Sequence, residues 1–158
     1  MATLFIDTSA LVKLYVREDG TDAMLRLASR EEGHAMVLLA LAKVEFTAAV
    51  RRRARNGDLS EEEADGLESR LERHIKSRFI IQPVTDLLIE KATLAARLHP
   101  LRAYDALQMA GCLVTKEVME DANSRTILVC ADLQLRNAAR AEGLRVLDPS
   151  GSPSSEVE

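Results

Sequence analysis

The chain has no tryptophan, and aromatic residues fill 3% of its 158 positions. That scarcity removes the stacking platform on which sheet-based single-strand binders lay successive bases. Any nucleic acid met here is met through its backbone. Cysteine is nearly absent: Cys112 and Cys130 are the two present, and they fall in a predicted helix and strand, as small buried hydrophobes of a reducing compartment. His34, His74 and His99 stand apart with no metal-ligand spacing. The longest uninterrupted apolar run, Ala35 to Ala42, is far short of the ~20 residues of a membrane span. Asp7 breaks the opening apolar stretch at once, so no signal peptide is visible and a cytoplasmic protein without a membrane partner is expected. The seven glycines form no phosphate-cradling loop and no dinucleotide fingerprint, and no Gly-x-Ser-x-Gly elbow exists. Positive charge is not in excess: the formal net charge is −4. That weighs against a broadly basic nucleic-acid surface, although acids gathered at one site can depress the total while arginines elsewhere contact phosphate.

What is present is ordinary globular composition, 47% hydrophobic and 29% charged, at a length that suits one domain with a core needing no staples. Short β-like runs alternate with helical patterns. Strands are expected at Leu4–Asp7, Ala35–Leu39, Phe79–Val84, Thr126–Ala131 and Leu144–Leu147. Helices are expected at about Ser9–Val16, Gly20–Arg30, Leu41–Arg55, Asp86–Leu98, Leu101–Met119 and Leu133–Glu142. A further helix follows Ser60, whose pairing with Glu63 makes a capping box, and it carries Ala64, Leu67, Leu71 and Ile75 at helical spacing. Asn56-Gly57 stops the helix before it. Such alternation implies βαβ units and an α/β fold with helices on both faces of a mainly parallel sheet. The domain is expected to span residues 1–149, and the Pro/Ser/Gly-rich end, residues 150–158, to form a disordered tail.

Four acids stand out because their surroundings are apolar. Asp7 ends Thr3-Leu4-Phe5-Ile6, and Asp132 ends Thr126-Ile127-Leu128-Val129-Cys130-Ala131. Glu45 interrupts the mostly apolar stretch from Leu38 to Val50, and Asp105 opens the helical run Tyr104 to Leu113. Asp105 shares a helix face with Leu101 and Met109, and Glu45 with Leu41 and Ala49. In a parallel sheet, ligands bind beyond the carboxyl ends of the strands, where strand order switches. If the strands ending at Asp7 and Asp132 are neighbours, one crevice collects all four carboxylates. Two unit charges ~4 Å apart repel by ~4 kcal/mol at an effective dielectric near 20, so such a site must protonate, spread or bind a cation. Oxygen ligands without His or Cys select a hard ion, Mg²⁺ or Mn²⁺, over zinc. Such an ion polarises a phosphoryl oxygen and lowers the pKa of water, which suits phosphodiester hydrolysis. Asp7 and Asp132 could equally cap the helices that follow them; Glu45 and Asp105 do not clearly begin theirs.

Lesser candidates surround these acids. Thr8 and Ser9 could bond a carboxylate or the waters of an ion, or cap a helix. Arg102, beside Asp105, is a phosphate candidate. Arg51, Arg52, Arg53 and Arg55 could grip RNA phosphates, but cations at a helix C-terminus have an ordinary electrostatic explanation. A phosphatase with Asp7 as nucleophile is a competing chemistry, and it leaves Glu45 and Asp105 without roles.

These residues also form familiar motifs. Asp7-Thr8-Ser9-Ala10-Leu11-Val12-Lys13-Leu14-Tyr15 resembles the opening of PIN-domain proteins, specifically the VapC-type toxins of bacterial toxin–antitoxin pairs. Val44-Glu45-Phe46 with Arg51 to Leu59-Ser60 resembles the second acidic motif and helical hairpin of that family. Leu101 to Ala110 resembles its third motif, and Ala131-Asp132-Leu133-Gln134-Leu135 its fourth. The resemblance runs from about Thr3 to Pro149. It implies a three-layer α/β/α sandwich and a Mg²⁺-dependent endoribonuclease toxin, with Mn²⁺ a possible substitute. Asp7, Glu45, Asp105 and Asp132 would be the catalytic and metal-holding residues, Thr8 and Arg102 would contact RNA, and the product would carry a 5′-phosphate. It further implies a homodimer neutralised by a cognate antitoxin. Two positions depart from the pattern: Cys130 stands where Thr or Ser is frequent, and Gln108 where His is common. A catalytically weak PIN-fold module acting through protein–protein complexation is the alternative.

Overall fold

Ala2–Ile6 (β1) is buried on both faces, as a central strand of a parallel sheet must be. In the computed structural model, which describes residues 1–121 and 123–151, β1 lies between Ala35–Leu39 (β2) and Arg125–Val129 (β4). Ile80–Gln82 (β3) and Arg145–Leu147 (β5) form the edges. The order is β3-β2-β1-β4-β5, and every pairing is parallel. Seven helices connect the strands among the described residues: Thr8–Leu11 (α1), Thr21–Leu27 (α2), Ala42–Arg55 (α3), Glu61–Ser77 (α4), Asp86–Leu98 (α5), Ala103–Met119 (α6) and Leu133–Ala141 (α7).

Side-chain alternation along the strands sorts the helices into two layers. Leu4 and Ile6 of β1, with Met36 and Leu38 of β2, point into a core filled by Leu11, Met24, Phe46, Val50 and Leu71 from α1–α4. Phe5, Val37, Leu39 and Leu128 point the other way, against Leu88, Met109, Cys112 and Leu135 from α5–α7. This is the expected three-layer α/β/α sandwich. No helix of the described residues is long and apolar enough to cross a membrane.

Local signals act as their chemistry requires. Gly57, at φ +84°, ends α3; its N–H bonds the Ala54 carbonyl while the Asp58 N–H reaches that of Arg53, a Schellman closure. Ser60 and Glu63 form the capping box in both directions, at 3.0 and 2.6 Å. Arg51 of α3 is gripped by Glu61, Asp65 and Glu68 of α4, which braces the hairpin between the two helices.

Several boundaries differ from expectation: β1 starts at Ala2 and ends at Ile6, α2 stops at Leu27 and β4 ends at Val129. The first helix stops at Leu11 and tightens into a 3₁₀ turn over Val12–Leu14, where the Val12 carbonyl accepts from both Tyr15 and Val16. Helix α6 begins at Ala103, because Arg102 adopts an extended backbone as its N-cap. Edge strand β3 is shorter than its apolar run, and Ile80 and Ile81 are exposed. Of the expected tail, Ser150 donates to the Asp148 carboxylate and to the Asp19 carbonyl, and residues 152–158 lie outside the described residues.

Gly111 is where α6 comes closest to the sheet. A Cβ there would stand 2.7 Å from the Phe5 ring and 3.2 Å from Leu39 Cδ1, and Phe5 is fully buried. Overpacking of this kind costs about 1–3 kcal/mol. Gly111→Ala should lower the denaturant midpoint accordingly; an unchanged midpoint would show that the layer can yield.

Candidate metal and phosphate site

The chain runs from β1 outward through β2 and β3, then returns to lay β4 and β5 on the other side. Strand order therefore switches between β1 and β4, the place where a doubly wound sheet opens a crevice. Ile6 and Val129 are register partners, and the Asp7 N–H bonds the Val129 carbonyl at 3.0 Å. The acids that follow these two strands are brought to one end of the sheet.

Both strand-end acids are helix caps. Asp7 Oδ2 accepts from the Ser9 N–H at 3.1 Å at the start of α1, and Asp132 Oδ1 accepts from the Leu135 N–H at 2.8 Å at the start of α7. Capping occupies one oxygen of each carboxylate. The caps leave Asp7 Oδ1 and Asp132 Oδ2 unused, so cap and ligand are compatible roles. Ser9 ties the two loops together: its hydroxyl donates to Asp7 Oδ2 at 2.6 Å and accepts from the Ala131 N–H at 3.0 Å.

Glu45 and Asp105 come from opposite helical layers, and each lies in the first turn of its helix. Their positions thus have a structural rationale, since a helix N-terminus favours negative charge. Burial nevertheless pushes the Glu45 carboxyl up, and the negative charges of Asp7 and Asp105 add to this, while the Tyr104 and Thr8 hydroxyls oppose it. Glu45 Oε2 is buried and lacks any hydrogen-bond partner among the described residues. Asp105 is raised by desolvation and then by Asp7 and Asp132, with Arg102 pulling the other way. Asp7 is raised by desolvation, which outweighs its bonds to Ser9 and Cys130.

A cavity of about 520 Å³ opens here, lined by Asp7, Glu45, Asp105 and Asp132 together with Thr8, Ser9 and Arg102. It also takes in Arg52 and Arg53 of the arginine cluster, and Lys13, Glu18 and Gln134, which sequence patterns did not single out as site residues. One signal was legible: Ala49 and Arg52 follow Glu45 at i+4 and i+7, on the same helix face. Tyr104 was likewise passed over. Its hydroxyl lies 3.2 Å from Thr8 Oγ1 and accepts from Gln108 Nε2 at 3.0 Å, so the fully buried Gln108 supports both hydroxyls from below.

Donor chemistry around the cavity fits a hard divalent cation. An orphaned buried carboxylate oxygen and three carboxyls held above their ordinary range are what a site missing its countercharge presents. The neighbouring sulfur is Cys130, 3.6 Å from Asp7 Oδ2 and bonded by the Asp132 N–H at 3.3 Å. Burial pushes its thiol far up, so it stays protonated and is a poor ligand. Among the described residues, no three His, Cys, Asp or Glu side chains close on one point tightly enough to cage an ion. Mg²⁺ characteristically takes one or two carboxylates and keeps several waters, which such spacing allows. The histidines lie elsewhere: His34 accepts from the Ala2 N–H, His74 meets the Tyr15 hydroxyl and His99 pairs with Glu142.

The model of the PIN domain family matches residues 4–144. Solved structures of similar fold include FitAcB from Neisseria gonorrhoeae, with TM-score 0.62 and 16% identity, covering 92% of this chain and 97% of that one. VapBC2 from Rickettsia felis, bound to a DNA fragment from their promoter, gives 0.61 at 12% identity, with 92% and 97% covered. VapBC-1 from nontypeable Haemophilus influenzae gives 0.58 at 13% identity, with 94% and 99% covered. At these identities the likeness is one of fold. No curated protein matches the chain.

The raised carboxyls set a pH dependence. Asp7, Glu45 and Asp105 keep their protons to higher pH in the folded, metal-free chain than in the unfolded one. Stability from these groups is therefore present at low pH and lost as pH rises through their folded values. In chelator, Tm should fall as pH rises above the ordinary carboxylate range, and Asp7→Asn, which can still cap α1, should flatten the fall and raise Tm at neutral pH. A variant less stable than the parent at neutral pH would contradict this.

Proposed function

The chain belongs to the PIN domain family, and from that premise we propose that it is a divalent-metal-dependent endoribonuclease toxin of the VapC type, neutralised by a cognate antitoxin. The observation that carries this reading is the cavity at the β1–β4 switch point, where four carboxylates converge and Glu45 Oε2 has no protein partner among the described residues. Asp7, Glu45, Asp105 and Asp132 would hold Mg²⁺, or Mn²⁺ in its place, directly or through water. When bound, the ion supplies Lewis-acid polarisation of a phosphoryl oxygen and acidifies an attacking water.

The protein's own groups do the positioning. Ser9 fixes the carboxylate of Asp7 and the loop that presents Asp132. Thr8 and Tyr104, steadied by Gln108, place hydroxyls beside Glu45. Arg102 stands exposed at the N-terminus of α6, where a planar guanidinium suits the oxygens of an RNA phosphate. The family resemblance and the fold shared with the VapBC structures support a cognate antitoxin as partner. Exposed Leu87, Leu94 and Leu98 form one stripe along α5 and support the homodimer that the resemblance implies.

Purified chain freed of antitoxin should cleave RNA with Mg²⁺ or Mn²⁺, leaving 5′-phosphates, and should be silent in EDTA. Asp105→Asn should lower the rate by more than about 100-fold, the scale on which preorganised electrostatic groups act. No cleavage by a folded, metal-binding chain, on total RNA or on defined RNA panels, would sink the enzyme and favour the binding module. Ser9→Ala should cost about 10–100-fold in metal affinity or activity, the usual effect of removing a ligand's hydrogen-bond partner. An effect under twofold would mean that Ser9 serves only the cap.

A further inference from the structure

We infer that Arg52 is a second phosphate contact, gripping the RNA backbone beside the phosphate held at the acids; this rests on the ribonuclease reading above. The end of α3 carries four arginines, which a helix C-terminus would explain by its dipole alone. The structure separates them. Arg51 faces away from the acids, its guanidinium taken up by Glu61, Asp65 and Glu68. Arg53 is paired with Glu18 at 2.6 Å, and Lys13 is held by the same Glu18 at 3.1 Å and by the Asp19 carbonyl at 2.8 Å. Arg52 lines the acid cavity, is exposed, and has no ion pair among the described residues. Its donor fork is open to a ligand, and a guanidinium matches phosphate geometry.

Position makes the contact a flanking one. Arg52 lies seven residues beyond Glu45 on the same helix face, ~10 Å along the axis at 1.5 Å per residue. Both residues line the same cavity, Arg52 from two turns further along α3, so it meets the strand beside the phosphate at the acids. Arg102 approaches from the other helical layer, three residues before Asp105. A strand crossing the cavity from α3 to α6 would thus meet a cation, then the acids, then a second cation. A polyanion entering a cleft of four carboxylates needs such countercharge, and each phosphate neutralised adds a salt-dependent increment of affinity.

The test is binding of a single-stranded RNA of mixed sequence, by fluorescence anisotropy in Mg²⁺ across a salt series, with Asp105→Asn as the background so that cleavage does not intervene. Adding Arg52→Gln should weaken binding about 5–10-fold and flatten the log–log salt slope by about 0.7, the increment for one single-strand phosphate contact. Adding Arg51→Gln instead should leave affinity and slope unchanged while lowering Tm. An Arg52→Gln chain that binds like its background overturns the inference. So does an equal loss with Arg51→Gln, or a background chain that binds no RNA. If Arg52 matters for binding but the parent chain cleaves nothing, the ribonuclease reading fails and the phosphate contact stands.

Discussion

Four acids at the starts of four helices line one cavity, and the rest of the site depends on that arrangement. Asp7 and Asp132 cap α1 and α7, while Glu45 and Asp105 occupy the first turns of α3 and α6. Each helix start carries partial positive charge from its free N–H groups, so the backbone offsets part of the repulsion that four carboxylates create. The parallel pairing of β1 with β4 makes this possible, because it brings two strand ends and the helices that follow them to the same edge. The offset is incomplete. Desolvation still holds three of the carboxyls above their ordinary range, and one Glu45 oxygen is left without a partner among the described residues.

Cap and ligand are often weighed as rival explanations for an acid at a strand end. Here the geometry joins them. A cap uses one carboxylate oxygen and fixes the rotamer of the side chain, and that leaves the other oxygen aimed by the same bond. Ser9 extends this economy, since one hydroxyl orients Asp7 and holds the Ala131 amide beside Asp132. Cys130, where family members frequently carry Thr or Ser, still receives the Asp132 N–H and approaches Asp7. Sulfur makes weaker bonds than oxygen, and in this chain Ser9 takes most of the positioning.

Much of this was legible in the residues. β2 and α5 fall where composition and turn signals put them, and the capping box at Ser60 and the stop at Gly57 were readable from side-chain chemistry alone. The four acids could be singled out because each breaks an apolar run. What could not be read was tertiary. Nothing local to Arg51, Arg52 and Arg53 says which of three adjacent cations faces acids of α4, which faces Glu18 and which faces the cavity; helix rotation and partners distant in sequence decide that. Tyr104 and Gln108 were equally opaque, because their roles exist only once α6 packs over Thr8. The start of α6 was placed two residues early, and this hid the first-turn position of Asp105.

The acid cavity carries negative charge that the protein's own groups do not fully compensate, and a divalent ion would complete it. Calorimetric titration of Mn²⁺ into the metal-free chain, repeated in buffers of different ionisation enthalpy, measures both affinity and protons released. Binding is expected with net proton release that grows as pH falls from neutral toward mildly acidic, and with a smaller release for Glu45→Gln. Absence of binding, or binding with no proton release at any pH, would contradict this.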